Sequence, residues 1–244
     1  MTHTTLILGA TSAMAEQTAR LLAADGDKLI LAARDPERLE ILAKDLKVRG
    51  ASEIQVLPPF DASKADTFDA LLDEAGEVDR VLIAYGSLPD QEALENDPAG
   101  IRREMCTNFG SVIDLSSRIA TRMQAKGSGT LAVISSVAGL RGRQSNYIYG
   151  SAKGGVILFL QGLRNRLQPH GVRVITLLPG FVDTPMTADI EKGPLFASAA
   201  KAGACIHKAI TRGKCDVVYV PGFWRFIMWI IRAIPEPIFK RLKL

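Results

Sequence analysis

Apolar residues in this chain fall into short, unbroken runs. Thr5–Leu8, Lys28–Ala32, Ile54–Leu57, Arg80–Ala84, Thr130–Ser135, Val172–Leu177 and Val217–Val220 are rich in Val, Ile and Leu and do not alternate with polar residues. Such runs predict strands covered on both faces. Between most of them the apolar spacing becomes helical, as in the stretch from Gly9 to about Ala24. Asp35-Pro36 reads as the start of a second helix, the acid as cap and the proline at the first helical position. Strand and helix in alternation predict an α/β fold, a doubly wound parallel sheet with helices on both faces. No internal repeat, low-complexity segment or Pro/Gly/Ser-rich linker interrupts the pattern. The expected organisation is one domain over residues 1–222 and an appended tail over residues 223–244.

The 244 residues suit one such domain, and 23% charged residues exclude a disordered chain. Cys106, Cys205 and Cys215 form no CxxC pair, and His3, His170 and His207 show no metal-ligand spacing. A disulfide framework or a zinc ribbon is therefore not expected, and a reducing, cytoplasmic setting fits. The first residues lack the basic start of a secretory signal. The most apolar segment, Phe226–Ile231, is bounded by Arg225 and Arg232 and is far shorter than a membrane span.

Charge changes the picture at one end only. The net +4 resides in the tail, where Arg225, Arg232, Lys240, Arg241 and Lys243 face the single acid Glu236. The body is neutral, which argues against a nucleic-acid partner. Both tryptophans, Trp224 and Trp229, also lie in the tail. Aromatic, isoleucine-rich and basic, it suits a peripheral helix in a bilayer interface at the inner face of the membrane. It equally suits a helix packed on a partner subunit or over its own cleft.

Three motifs suggest chemistry. The turn after the first strand, Gly9-Ala10-Thr11-Ser12-Ala13-Met14-Ala15, leads into a helix whose first N–H groups can take a phosphate. Ala13 and Ala15 stand where dinucleotide-binding turns have glycines. The second motif is Tyr149-Gly-Ser-Ala-Lys153 with Ser136 thirteen residues before the tyrosine. Four residues apart on a helix, phenol and ammonium share a face. An ammonium about 5 Å away favours the phenolate by roughly 3 kcal/mol at an effective dielectric of about 20, some two pKa units. Ser136, at the end of a predicted strand, can hold a carbonyl oxygen. The third is Arg141-Gly142-Arg143, two guanidinium groups in the loop between Ser136 and Tyr149, suited to a phosphate or an ordinary solvated loop.

These blocks, together with Asp61, Ala84-Tyr85-Gly86, Asn108 and the run Leu178-Pro-Gly-Phe-Val-Asp-Thr184, resemble the short-chain dehydrogenase/reductase family from residue 4 to about 222. The resemblance implies a Rossmann-type fold and hydride transfer between a nicotinamide cofactor and a carbonyl or alcohol. It implies Tyr149 as acid/base, Ser136 as carbonyl anchor, Lys153 as ribose ligand and depressor of the tyrosine pKa, and Asn108 as support of a proton relay. It assigns cofactor contacts to Gly9, Thr11, Ser12, Ala13, Met14, Asp61, Ala84, Tyr85, Gly86, Pro179, Gly180, Val182 and Thr184. Arg34, with the neutral Ala33 before it, favours the 2′-phosphate of NADP(H); NAD(H) is the second choice. Homodimers or higher homo-oligomers are expected. Within the family, the segments around Asn146–Gly155 and the aromatic-basic tail are similar to reductases of a keto-pentose on a polyprenyl phosphate in cell wall biosynthesis. The alternative is a soluble reductase of a small ketone, steroid or acyl substrate that uses the tail to oligomerise.

Overall fold

The computed structural model describes residues 2–242. In chain order the elements are β1 (Thr4–Leu8), α1 (Ala13–Ala24), β2 (Lys28–Ala32), α2 (Pro36–Val48), β3 (Glu53–Val56), α3 (Phe68–Ala75), β4 (Arg80–Ile83), α4 (Gln91–Glu95) and α5 (Pro98–Met105). A π-turn over Cys106–Gly110 leads into α6 (Ser111–Lys126), β5 (Gly129–Ile134), α7 (Tyr147–Leu167) and β6 (Val172–Pro179). Then follow β7 (Val182–Asp183), β8 (Ala197–Ser198), α8 (Ala199–Thr211), β9 (Val217–Val220), α9 (Trp224–Ala233) and α10 (Glu236–Phe239). The seven apolar runs become the seven strands of one parallel sheet in the order β3-β2-β1-β4-β5-β6-β9. β7 and β8, too short to show in the hydrophobic pattern, pair separately beside it.

The strands are mostly apolar because helices cover both faces, the charged Lys28, Glu53, Arg80 and Arg173 standing at or near strand starts. Leu6 and Leu8 of β1 pack with Phe68, Leu115 and Leu160 on one side, and Ile7 packs with Ala15, Leu39 and Ile206 on the other. Each such side chain taken from water contributes roughly 1.5–3 kcal/mol. At the lower edge Asp27, 2% exposed, accepts from the Thr5 hydroxyl (3.2 Å) and the Arg80 guanidinium (2.8 Å), tying β1, β2 and β4 together. The strand order reverses between β1 and β4, so their upper ends diverge into a crevice. This is where open α/β sheets bind ligands.

α2 starts as expected, with Asp35 capping the Arg38 N–H and Pro36 at the first turn. The tail is two helices laid back over the upper edge of the sheet; Lys243 and Leu244, included in the expected tail, lie outside the described residues. Trp224 and Met228 of α9 are buried with Val137, Ile157 and Leu178. Trp224 lies against Gly180 and edge-on to Phe181, with centroids 5.5 Å apart. Arg141, which the sequence suited to a phosphate or to a solvated loop, does neither among the described residues: it donates to three carbonyls at the end of α9, Ile231 (2.8 Å), Arg232 (3.1 Å) and Ile234 (2.6 Å). It also pairs with Glu236 and stacks on the Phe239 ring at 3.7 Å. Cations suit helix C-termini, where carbonyls lack partners, so the first arginine of the loop holds the tail.

A Cβ on Gly180 would fall 1.8 Å from Trp224 Cε2. Gly180→Ala is therefore expected to unseat α9 at an overpacking cost of about 1–3 kcal/mol, lowering Tm by about 2–4 °C per kcal/mol. A thermal melt with tryptophan fluorescence checks this; an unshifted Tm would show that α9 is not anchored there.

Candidate active site

The first two sides of the crevice are the turns after β1 and β4. Gly9 has φ 85°, and a side chain there would meet the Tyr85 backbone N at 2.7 Å, so the two turns touch only because Gly9 has none. Ser12 precedes α1 in extended conformation, leaving the first N–H groups of that helix directed upward. Ala13 opens the helix and Ala15 is buried against the sheet. Tyr85 turns toward the core: its hydroxyl meets Ser111 at 3.0 Å and its ring packs on Phe60. Ala84, Tyr85 and Gly86 all border the cavity.

Arg34 is exposed and has no ion pair among the described residues. Its charge helps hold the Asp61 carboxyl below the ordinary carboxylate range, behind the larger effect of hydrogen bonds from the Ser63 N–H (2.9 Å) and hydroxyl (2.8 Å). A second arginine, Arg38, lies one turn further along and donates to the Thr11 carbonyl (3.2 Å) and Glu16 (3.1 Å). Its spacing from Arg34 is the signal in the sequence that points to it. Two guanidinium groups thus flank the Gly9 turn at the end of β2, where a 2′-phosphate belongs.

The catalytic candidates meet at the upper ends of β4 and β5. Ser136 is 8% exposed and its Oγ accepts from the Ala138 N–H at 3.1 Å. Ser135 donates to the Lys153 carbonyl at 2.8 Å, pinning α7 to the end of β5. Gln91, buried on α4, accepts from the Ile148 N–H at 3.1 Å and fixes the other end of the Tyr149 turn. Nothing in the local sequence marks Gln91, because the contact spans 57 residues. Lys153 Nζ sits 5.6 Å from the Tyr149 ring centroid. Asn108, 1% exposed, occupies the π-turn.

Burial governs the electrostatics. The Tyr149 phenol is pushed up to about 12 by desolvation, only partly offset by the neighbouring Ser136 hydroxyl. Desolvation lowers Lys153 to about 8. The sequence spacing led us to expect a depressed tyrosine. In the protein without cofactor the loss of hydration exceeds the lysine's attraction, and Tyr149 is a held proton, an acid. Lys153 Nζ has no hydrogen-bond partner among the described residues. A buried ammonium calls for hydroxyl acceptors, which a nicotinamide ribose would offer. Ser12, Met14, Gly86, Pro179, Gly180, Val182 and Thr184 line the same cavity and fit the rest of such a cofactor.

A family model described as short chain dehydrogenase matches residues 3–194. The chain belongs to the short-chain dehydrogenase family. An uncharacterized oxidoreductase from the mprA 5′ region of Streptomyces coelicolor is 39% identical to it over 241 residues, 97% of this chain and 94% of that one. One from Mycobacterium tuberculosis is 34% identical over 97% of this chain and 96% of its own. Among solved structures, a short chain dehydrogenase from Burkholderia cenocepacia in complex with NADP superposes with TM-score 0.84 at 20% identity, covering 100% of this chain and 98% of that one. One from Sphingobium yanoikuyae in complex with NADPH gives 0.82 at 24% identity, covering 96% and 97%. This short-chain dehydrogenase is an enzyme with a Rossmann-type fold, a dehydrogenase/reductase acting on carbonyl or alcohol groups.

Tyr149→Phe removes the phenol proton alone, so turnover is expected to fall at least a hundredfold with cofactor affinity little changed. Steady-state kinetics and cofactor titration decide; more than a tenth of wild-type kcat/KM would remove Tyr149 from the role of acid. The second expectation concerns pH. If carbonyl reduction needs Lys153 charged, as the family resemblance implies, the rate is expected to be steady below about pH 8 and to fall as the ammonium discharges above it. A reduction profile flat to pH 10 would contradict this.

Proposed function

We propose that this enzyme is an NADP(H)-dependent carbonyl reductase whose substrate joins an anionic headgroup to a long apolar chain, in the specific form of a keto-pentose on a polyprenyl phosphate. One observation supports the reading above others: the wall of the cavity over Tyr149 is apolar on the tail side and carries, besides Lys153, an arginine with no ion pair among the described residues. Met186, Ile190, Trp224, Met228 and Ile231 supply the apolar side. Arg143 lines the same space, half-buried, with no side-chain partner among the described residues, and burial pulls it below the ordinary guanidinium value. A desolvated guanidinium without a counter-charge is costly until an anion meets it. Of the two arginines expected at a phosphate, Arg143 keeps that role in this proposal and Arg141 does not.

In the reduction, the cofactor supplies hydride to the carbonyl carbon when bound. Ser136 holds the carbonyl oxygen, Tyr149 gives it the phenolic proton, and Lys153 re-supplies the tyrosine. Arg34 and Arg38 favour NADP(H) over NAD(H), and the NADP and NADPH complexes of the two structural neighbours support that preference.

The outer face of α9 extends the reading. Phe226, Trp229 and Ile230 are 64%, 68% and 45% exposed, beside Arg225, Arg232 and Lys240, and Phe226 and Trp229 stack on each other. No helix among the described residues is long and apolar enough to cross a membrane. An anionic bilayer surface matches this face, each basic residue contributing on the order of 1 kcal/mol there. Its inner face is the cavity wall, so a lipid-linked substrate would enter directly from the bilayer.

NADPH and NADH oxidation against polyprenyl-phosphoryl keto-pentose and a neutral ketone tests the proposal. Arg143→Ala should raise KM for the phosphorylated substrate about tenfold or more, a charged hydrogen bond being worth about 1.5–3 kcal/mol, and leave the neutral ketone unaffected. Equal effects on both would place Arg143 in loop structure. Phe226→Ser/Trp229→Ser keeps the buried face of α9 and should release the protein from anionic liposomes. If it instead converts a dimer to a monomer with no liposome binding by the wild type, the face is a subunit contact and the substrate is a soluble one.

A further inference from the structure

Asn108 sits in an arrangement that neither the family motif nor the proposed substrate explains. Its Oδ1 accepts from the backbone N–H of Ser87 at 3.2 Å. Its Nδ2 donates to Glu104 Oε2 and to Ser87 Oγ, both at 3.0 Å. The Ser87 hydroxyl in turn donates to Glu104 Oε2 at 2.5 Å. The chemistry of these partners is one-way. A backbone N–H only donates, and a carboxylate only accepts. Set on opposite ends of one carboxamide, they allow a single orientation, oxygen toward Ser87 N and nitrogen toward Glu104. The hydroxyl of Ser87, committed to Glu104 as donor, has only a lone pair to offer Asn108 and reinforces the choice.

That orientation matters because of what lies beside Gly86. A Cβ on this glycine would be 2.8 Å from Asn108 Oδ1 and 3.2 Å from Lys153 Nζ, so amide oxygen and ammonium both border Gly86, without a direct hydrogen bond between them. With the oxygen there, the amide dipole presents its negative end to a buried cation. With the amide reversed, two N–H groups would face that cation in a site with low dielectric screening. The half-buried Glu104 stands one helical turn before Asn108, on the far side of the amide from Lys153.

We propose that Glu104 is a positioning residue for this enzyme: with Ser87 it locks the Asn108 carboxamide with its oxygen toward Lys153, so that the ammonium stays charged and able to return a proton to Tyr149. The inference rests on the assignment of Tyr149 and Lys153 as the proton-transfer pair and is independent of which carbonyl compound is the substrate. Glu104→Gln retains size and one acceptor but adds a donor, so the amide orientation is no longer unique.

The deciding measurement is made on the full-length protein without cofactor, labelled with ¹³C-lysine, following the Lys153 ε-carbon through a pH titration. Glu104→Gln should lower the Lys153 midpoint by about half a unit or more. In turnover with NADPH and any ketone the wild type reduces, the falling limb of the pH profile should move down by the same amount. At pH 8 kcat should drop about twofold or more while KM for NADPH is unchanged. A Lys153 midpoint and pH limb equal to wild type would overturn the proposal even if kcat declined; because loss of the Glu104 charge lowers the midpoint by itself, Ser87→Ala, which keeps that charge, must move the midpoint in the same direction, and an unmoved midpoint there would also overturn the lock. Should Glu104→Gln fail to fold, Ser87→Ala removes one of the two acceptors of Asn108 Nδ2, and a smaller shift in the same direction is expected; no shift would likewise refute the lock. The titration stands whether or not the proposed substrate is turned over.

Discussion

The whole upper edge of this molecule is organised around one buried ammonium. Lys153 is 3% exposed and has no carboxylate against it. A charge in that position costs several kcal/mol unless dipoles replace the lost water. The fold prepares the place by geometry: the Ser135 hydroxyl fixes the turn of α7 that carries Lys153, Gly86 leaves room beside Nζ, and Asn108 Oδ1 borders the same glycine. An acid in direct contact would have stabilised the cation better and made it a poorer proton donor. With none among the described residues, desolvation brings the ammonium down to about 8, a range suited to the proton relay proposed for it.

The same logic sets Tyr149. Taken from water, the phenol holds its proton until about 12 and is ready to give it to an alkoxide-like oxygen. A phenolate would form only after that transfer, when the ammonium next to it lowers its energy most. Attraction that is small beforehand and large in the transition state is the kind that accelerates a reaction. Burial and charge therefore oppose each other in the resting state and cooperate during turnover.

Much of this could be read in the chain itself, and the exceptions share a physical cause. Seven strands were legible because a strand covered on both faces is apolar along most of its length, and the sheet in Ile7, Leu29 and Leu131 is of this kind. Ser136, Tyr149 and Lys153 were legible because their relation is local: one helix face and one strand end. Arg141 was not, since the carbonyls that hold it lie 90 or more residues away and carry no side-chain signature. Gln91 and Glu104 escaped for the same reason, their importance lying in the partners the fold gives them. The direction of the Tyr149 shift was misjudged because spacing reveals the distance to a cation but not the depth of burial, and burial is the larger effect here.

α9 shows how the two kinds of information combine. Its composition, aromatic and basic, was compatible with a bilayer, a partner subunit or the chain's own cleft. The structure divides these among the helix faces, with Trp224 and Met228 inward against Gly180 and Leu178, and Phe226 and Trp229 outward. Arg141 fastens the far end of the helix to the loop that follows Ser136. Whatever the outer face meets is consequently transmitted to the loop bearing Arg143 through one guanidinium and its three carbonyls. A connection of this sort ties the cavity wall, the loop and the outward aromatics into one arrangement, so what is bound outside and what is bound inside are read by the same helix.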